Sequence, residues 1–244
     1  MKAVGLRFLF VVGVVIGVVL AGPIFLWALL KRARPIHFDG AVLEGELVAA
    51  QGQAAGARLA GPALVRLSGG LGDQAATGKD VLGLAIRCQR GPFDEDLGAG
   101  DQDLILGTFR SFLSLPRTIG QVRVTDYLAN DYLSVTPWRV RGLGVVHLRA
   151  VAPRTEPGEG RSRLDRLDRD LAAGTAALEL VAERGGERLA LARLVLRRRL
   201  DSDGRALRTR MTRTGRGFHP TGARNGVRFV VYPVSQAARR LRGG

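Results

Sequence analysis

Ala63-Leu64-Val65-Arg66-Leu67-Ser68-Gly69-Gly70 is a mostly apolar run that stops at a Ser-Gly-Gly turn signal. A short run of this kind, bounded by glycines, reads as a strand. The neighbouring stretches on both sides read the same way. Val42 to Ala49 alternates loosely, as a half-buried strand does, and Val81 to Ile86 is a second apolar run. Leu104 to Leu115 is apolar and aromatic up to Pro116, and Val140 to Val151 mixes apolar and basic residues in a strand-like way. Short strands in succession from Ile36 to about Val151 suggest a sandwich or a barrel.

The period changes after a polar loop, Pro153 to Arg163. Leu164, Leu167, Leu171, Ala172 and Ala176 fall at helical spacing and predict a helix from Leu164 to Glu183. Gly174 opposes it by about 1 kcal/mol relative to Ala. Leu189 to Leu196 returns to strand, Gly215 to Gly226 is loop, and a last element runs from Val227 to Leu241. Pro233 within that element marks a kink or a helix start. Leu164-Asp165-Arg166-Leu167-Asp168-Arg169-Asp170 reads as a solvated helix face with salt pairs.

Lys+Arg 37 against Asp+Glu 22 gives a net charge of +15. Lysines stand only at Lys2, Lys31 and Lys79, so the excess is arginine. Acids are interspersed, aromatics are 6%, and zinc-finger and RNA-binding signatures do not occur, so no nucleic-acid partner is expected. A basic domain beside an anionic membrane surface is the simpler electrostatic reading. The single cysteine, Cys88, excludes an internal disulfide and a Cys-x-x-Cys-His haem attachment. Gly72 to Asp80 resembles a phosphate loop only superficially, with five residues between its glycines and Asp80 where Ser or Thr would bind magnesium. Hydrolase and dinucleotide fingerprints do not occur.

Phe8 to Leu30 carries no charged side chain over 23 residues, and a bilayer core needs about 20 in a helix. Lys2 and Arg7 precede the run, and Lys31, Arg32 and Arg34 follow it. A secretory signal cleaved near Leu20-Ala21-Gly22 is the rival reading. The run is longer than a typical signal core, so an uncleaved single-pass transmembrane anchor over 1–33 is expected, with a domain over 34–244. The positive flank mildly favours a cytoplasmic domain.

In the final stretch, Arg228, Tyr232 and Arg239 share one face if it is helical. A guanidinium one turn before a phenol lowers the phenol pKa, and a phenolate is a ligand for ferric haem iron. Arg239 would then suit a haem propionate. The competing reading is an amphipathic terminal helix with snorkelling arginines.

Three stretches resemble the haem-binding core of the catalase family. Arg34-Pro35-Ile36-His37-Phe38-Asp39-Gly40-Ala41-Val42-Leu43-Glu44-Gly45 resembles R-V-V-H-A-K-G-A-G-A-F-G. Val65-Arg66-Leu67-Ser68 resembles V-R-F-S, and Asp80-Val81-Leu82-Gly83-Leu84-Ala85-Ile86-Arg87 resembles D-P-R-G-F-A-V-K. Arg228-Phe229-Val230-Val231-Tyr232-Pro233 resembles R-L-F-A-Y-P, and Asp131 to Arg139 resembles a Y-Y-S-Q-T-P-Y-R run in small catalase-related proteins.

The resemblance implies an α+β fold, an antiparallel β-barrel of the catalase-like type with packed helices, behind the N-terminal transmembrane helix. It implies haem b with Tyr232 as axial iron ligand, Arg228 as its charge partner, and Arg34, Arg66 and Arg239 on the propionates. His37 becomes the distal acid/base, with Ser68 hydrogen-bonded to it. A neutral imidazole can take and return a proton between peroxide oxygens. The family's distal Asn has no counterpart in Asp103 to Phe109, where Thr108 is the nearest substitute. His147 reads as structural and His219 as loop. The implied activity is reduction of hydroperoxides, organic or lipid, supplied by the adjacent bilayer. A haem-free binding scaffold and a fatty-acid hydroperoxide isomerase on the same scaffold are the alternatives. A homo-oligomer is left open.

Overall fold

The structure is a computed structural model that describes residues 5, 8–18, 40–70, 80–96, 98–109, 118–202, 209–210, 212–223, 225–227 and 230. Arg34, His37, Arg228, Tyr232 and Arg239 lie outside the described residues, as do 19–39 of the apolar run and its flank.

The run that reads first as a strand is one: β2 spans Gly61–Gly69. It lies between β1 (Gly40–Ala49) and β3 (Leu82–Cys88), and β3 pairs in turn with β4 (Gln102–Gly107). Gly107 hands the sheet to β5 (Tyr132–Leu133), which pairs with β7 (Gly144–Val151). β8 (Ala177–Arg184) and β9 (Glu187–Arg199) follow, and β9 returns to β1. Every pairing is antiparallel, and the eight strands close into a barrel. β6 (Trp138–Val140) and β10 (Phe218–Pro220) extend from β7 as a flap. Closure removes the exposed edges that an open sheet of this length would present.

Alternation decides which residues fill the barrel. The register aligns Leu43, Val65, Ile86 and Leu104 in one cross-strand row, all with 0% exposure. Ala41, Leu67, Leu84 and Leu106 form the next inward row. An eight-stranded barrel is just wide enough for side chains to fill, and here they form one apolar cluster. Cys88 belongs to this core, where burial pushes its thiol far above the usual range.

Among the described residues helices are few: besides helical residues near the two termini there are α1 (Ala54–Leu59), α2 (Arg163–Ala172) and a 3-10 turn at Tyr127–Ala129. α2 corrects the sequence reading of a helix from Leu164 to Glu183. Its start is fixed by Ser162, whose hydroxyl accepts the Asp165 N–H at 3.1 Å. Asp165 in turn accepts the Arg161 N–H at 2.8 Å, which with the nearby arginines lowers its pKa. Its end follows from Gly174 at φ +67, the left-handed residue typical just past a helix. Beyond it, Ala177 to Arg184 alternates well enough to join the barrel wall. His219, read as loop, is in β10 opposite Arg139.

Residues 8–18 are helical, and so are 223, 225–227 and 230. Among the described residues no helix is long and apolar enough to cross a membrane.

Candidate functional site

Arg66 and Ser68 alternate with the inward-facing Val65 and Leu67, so their side chains point to the outer wall. The register sets Gly40 and Gly83 opposite Ser68, and Gly107 opposite Gly83. The outer wall of β1 to β4 therefore carries a row Gly40, Ser68, Gly83, Gly107, in which only Ser68 has a side chain. Its neighbour is the row Val42, Arg66, Ala85, Ile105. Three interstrand spacings make this floor ~14 Å wide. The Ser68 hydroxyl donates to the Gly83 carbonyl at 3.5 Å. Arg66 is 8% exposed. A buried guanidinium beside a floor of glycines matches a flat ligand that carries carboxylates.

Two landmarks of the sequence resemblance have local causes. A Cβ on Gly40 would run into the Leu67 carbonyl, so β1 approaches β2 closely where the row begins. At the β1 bulge, a Cβ on Gly45 would stand 3.0 Å from the Val195 carbonyl oxygen and 3.3 Å from Val65 Cγ2.

Asp80 closes this end of the barrel. Its Oδ1 accepts the Gly70 N–H at 3.0 Å and the Val81 N–H at 2.7 Å. Its Oδ2 faces Arg163 Nη1 at 3.6 Å, and the Arg163 guanidinium lies over the Tyr127 ring, 5.4 Å from the centroid. A Cβ on Gly69 would stand 2.6 Å from Arg163 Nη2. The resemblance-carrying Asp80 is thus a structural plug. Thr108 is a clip: its Oγ1 accepts the Leu82 N–H at 3.0 Å between β3 and β4.

Described segments from distant parts of the chain meet at this wall. Gly40 opens β1 at one side of the row. At the other side Gly107 pairs with Leu133, and Thr136 and Pro137 follow in the same segment. There Thr136 Oγ1 donates to Asn225 Oδ1 at 2.8 Å, Asn225 Nδ2 donates to the Thr221 carbonyl at 2.7 Å, and the Thr221 N–H donates to the Pro137 carbonyl at 3.0 Å. The Thr-Pro of the stretch Asp131 to Arg139 thereby holds the start of the carboxy-terminal segment. A cavity of about 590 Å³ opens beside Gly40 and Val42, with Arg199, Asp201 and Ser202 among its lining.

The other tyrosines and histidines have different positions. Tyr132 is fully buried, its hydroxyl donates to the Tyr127 carbonyl at 2.8 Å, and burial raises its pKa well above the phenol range. Tyr127 is packed under Arg163. Of the three tyrosines in the chain, Tyr232 is the one neither observation accounts for. His147 on β7 faces Glu183 across the sheet, and His219 is held below its usual pKa by burial and by Arg139. Neither is on β1 to β4. Asn225 was not singled out in the sequence; its only signal there was its position in a Gly/Pro/Asn-rich stretch.

The barrel is of the catalase type. A bacterial catalase matches this chain with a TM-score of 0.57 over 85% of its length, at 12% identity. A fungal catalase matches with a TM-score of 0.58, again over 85% of the chain and at 12% identity. The matches cover 57% and 59% of those catalases, so this chain spans about three-fifths of their length. No family model and no curated protein matches the sequence. The likeness is one of fold.

The donor set of the wall is compatible with a haem. Buried Arg66 is a cation of the kind a propionate would pair with, and in the Gly40–Gly107 row only Ser68 carries a side chain, with the Phe109 ring against Gly107.

Proposed function

We propose that the outer wall of β1 to β4 binds haem b and that the protein has a peroxide-linked, hydroperoxide-reducing activity. The observation that supports this reading is the glycine row with buried Arg66 and Ser68, which begins at Gly40 and ends near the segment bonded to Asn225. His37 precedes Gly40 by three residues, which limits their separation to ~11 Å of chain. The Asn225 clamp sets the start of the segment that contains Arg228, Tyr232 and Arg239.

Bound ferric haem would supply the redox chemistry that cleaves a peroxide bond, with two electrons drawn from a reducing co-substrate so that the products are an alcohol and water. Arg66, with Arg34 and Arg239, would pair its propionates. Arg228 would hold the Tyr232 hydroxyl as phenolate, and that phenolate would be the residue that holds the iron. The His37 imidazole would take the proton from one peroxide oxygen and return it to the other, with the Ser68 hydroxyl orienting the ring. Haemin titrated into the purified protein should saturate at one equivalent, and Gly83→Leu, which puts a side chain on the floor, should weaken binding at least ~10-fold. His37→Ala should keep the haem and slow hydroperoxide reduction ~100-fold. Undiminished binding in Gly83→Leu would move the site elsewhere.

One observation favours the haem-free scaffold. Thr108 stands nearest to the place of a distal amide, and its oxygen accepts a backbone N–H. A folded protein that takes up no haemin would decide for that reading.

A further inference from the structure

The helix 8–18 has two unlike sides. Gly13 and Gly17 are buried. A Cβ on Gly13 would run into the Ala223 carbonyl, and one on Gly17 would stand 3.0 Å from the Val227 carbonyl oxygen and 3.1 Å from Val230 Cβ. From the other partner, a Cβ on Gly226 would run into the Phe10 carbonyl. The helix 8–18 and the helical residues 223, 225–227 and 230 thus meet backbone to backbone across Gly13, Gly17 and Gly226. Spacing of small residues four apart is what lets helices approach this closely.

Phe8, Val11, Val15 and Val18 lie on another side, at helical spacing, and are 68%, 59%, 60% and 60% exposed. Leu9 and Ile16 widen the exposed apolar surface. A contiguous surface of this kind marks a contact with a membrane or a partner. The charges around it choose between them. The first acidic residue of the chain is Asp39, whereas Lys2, Arg7, Lys31, Arg32 and Arg34 all precede it. Cations without acids on both flanks of an apolar run match an anionic lipid surface. The glycine side, by which a second copy would most closely approach, is already covered by the chain's own residues 223–227.

We infer that Phe8, Val11, Val15 and Val18 face the acyl chains of an anionic bilayer, while the glycine side of the same helix docks the carboxy-terminal segment onto that membrane-seated helix. The inference is independent of haem. It makes the bilayer a partner of both chain ends together, and it places the start of the segment that contains Tyr232 against a lipid-seated element.

The test is flotation of the full chain, reconstituted from detergent into phosphatidylethanolamine–phosphatidylglycerol vesicles. The wild type should float and stay with the vesicles through a high-salt wash. Val11→Lys combined with Val15→Lys should reduce the floated fraction at least ~100-fold in partition, with the barrel intact by circular dichroism. Hydrogen exchange on the wild type adds a measurement that needs no variant: amides of 8–18 should be protected by vesicles, and Gly13→Leu should speed exchange at 223–227. A wild type left in the soluble fraction, or a lysine variant that floats undiminished, would overturn the inference. So would a vesicle-free dimer that the lysine variant dissociates, because the occupant would then be a second copy. Flotation needs no haemin and haemin titration needs no vesicles, so the two readings fail separately.

Discussion

Two parts of the outer wall, separated by the row Val42, Arg66, Ala85, Ile105, treat polar residues in opposite ways. At Asp103 every acceptor is used: Arg87 Nε donates at 3.2 Å, Arg213 Nη1 at 2.6 Å and the Arg210 N–H at 2.6 Å. Gln102 beside it accepts from Phe218 N–H at 3.3 Å and donates to the Arg213 and Phe218 carbonyls at 2.8 and 3.1 Å. Arg216 adds a bond to the Arg58 carbonyl at 2.8 Å and one to the Gln89 carbonyl. This network ties residues 209–210 and 212–218 to the barrel. The Gly40–Gly107 row, by contrast, carries one side chain, Ser68, and is buried along Ser68, Gly83 and Gly107. The Phe109 ring covers its far end, 3.2 Å from where a Cβ on Gly107 would stand. The difference separates a part of the wall that holds the chain by buried charge from a part built of glycine.

The largest expected effect is at the holding part. Asp103→Ala leaves Arg87, 2% exposed, and Arg213 without their carboxylate, so denaturant unfolding should show a loss of about 3–5 kcal/mol. Equal stability would mean the network contributes nothing. At the glycine part, Gly40→Val should cost about 1–3 kcal/mol by forcing β1 away from the Leu67 carbonyl. Asn225→Ala removes bonds to Thr136, Pro137 and Thr221. It should cost about 1–3 kcal/mol and speed hydrogen exchange in 221–227, which a global unfolding effect alone would not localise.

The smallest effect concerns pH. His219 titrates below its ordinary value because burial, and then Arg139, disfavour the imidazolium. The unfolded chain therefore takes up this proton first, near pH 6.5. Stability from this group is full above that pH and falls as pH drops toward the lowered folded value. The Tm difference between pH 8 and pH 5 should shrink in His219→Gln; an unchanged difference would remove His219 as a source.

The strands around β2 were legible because β2 and β3 are buried on both faces, so they read as short, nearly continuous apolar runs that stop at glycines. The segment after α2 was not. Ala172, Ala176 and Ala177 suit helix and strand alike, and Gly174 ends α2 before Ala177–Arg184 completes the barrel. α1 was missed because its packing is decided from afar: a Cβ on Gly56 would run into the Leu191 carbonyl. At the candidate site, Arg66 and Ser68 were readable as outward residues of a short strand. The glycine row was not, since it is assembled from four strands only by their register. The Asn225 clamp and the Asp103 network were likewise hidden, because their partners are separated by about ninety to more than one hundred residues.

The central proposal is that the glycine part of the wall holds a haem whose iron is bound by Tyr232. The most direct test is the visible spectrum of the haemin-loaded protein beside that of Tyr232→Phe. The account predicts a ferric high-spin Soret band in the first and its loss in the second. A protein that stays colourless, or the same band and haem content in Tyr232→Phe, would contradict it.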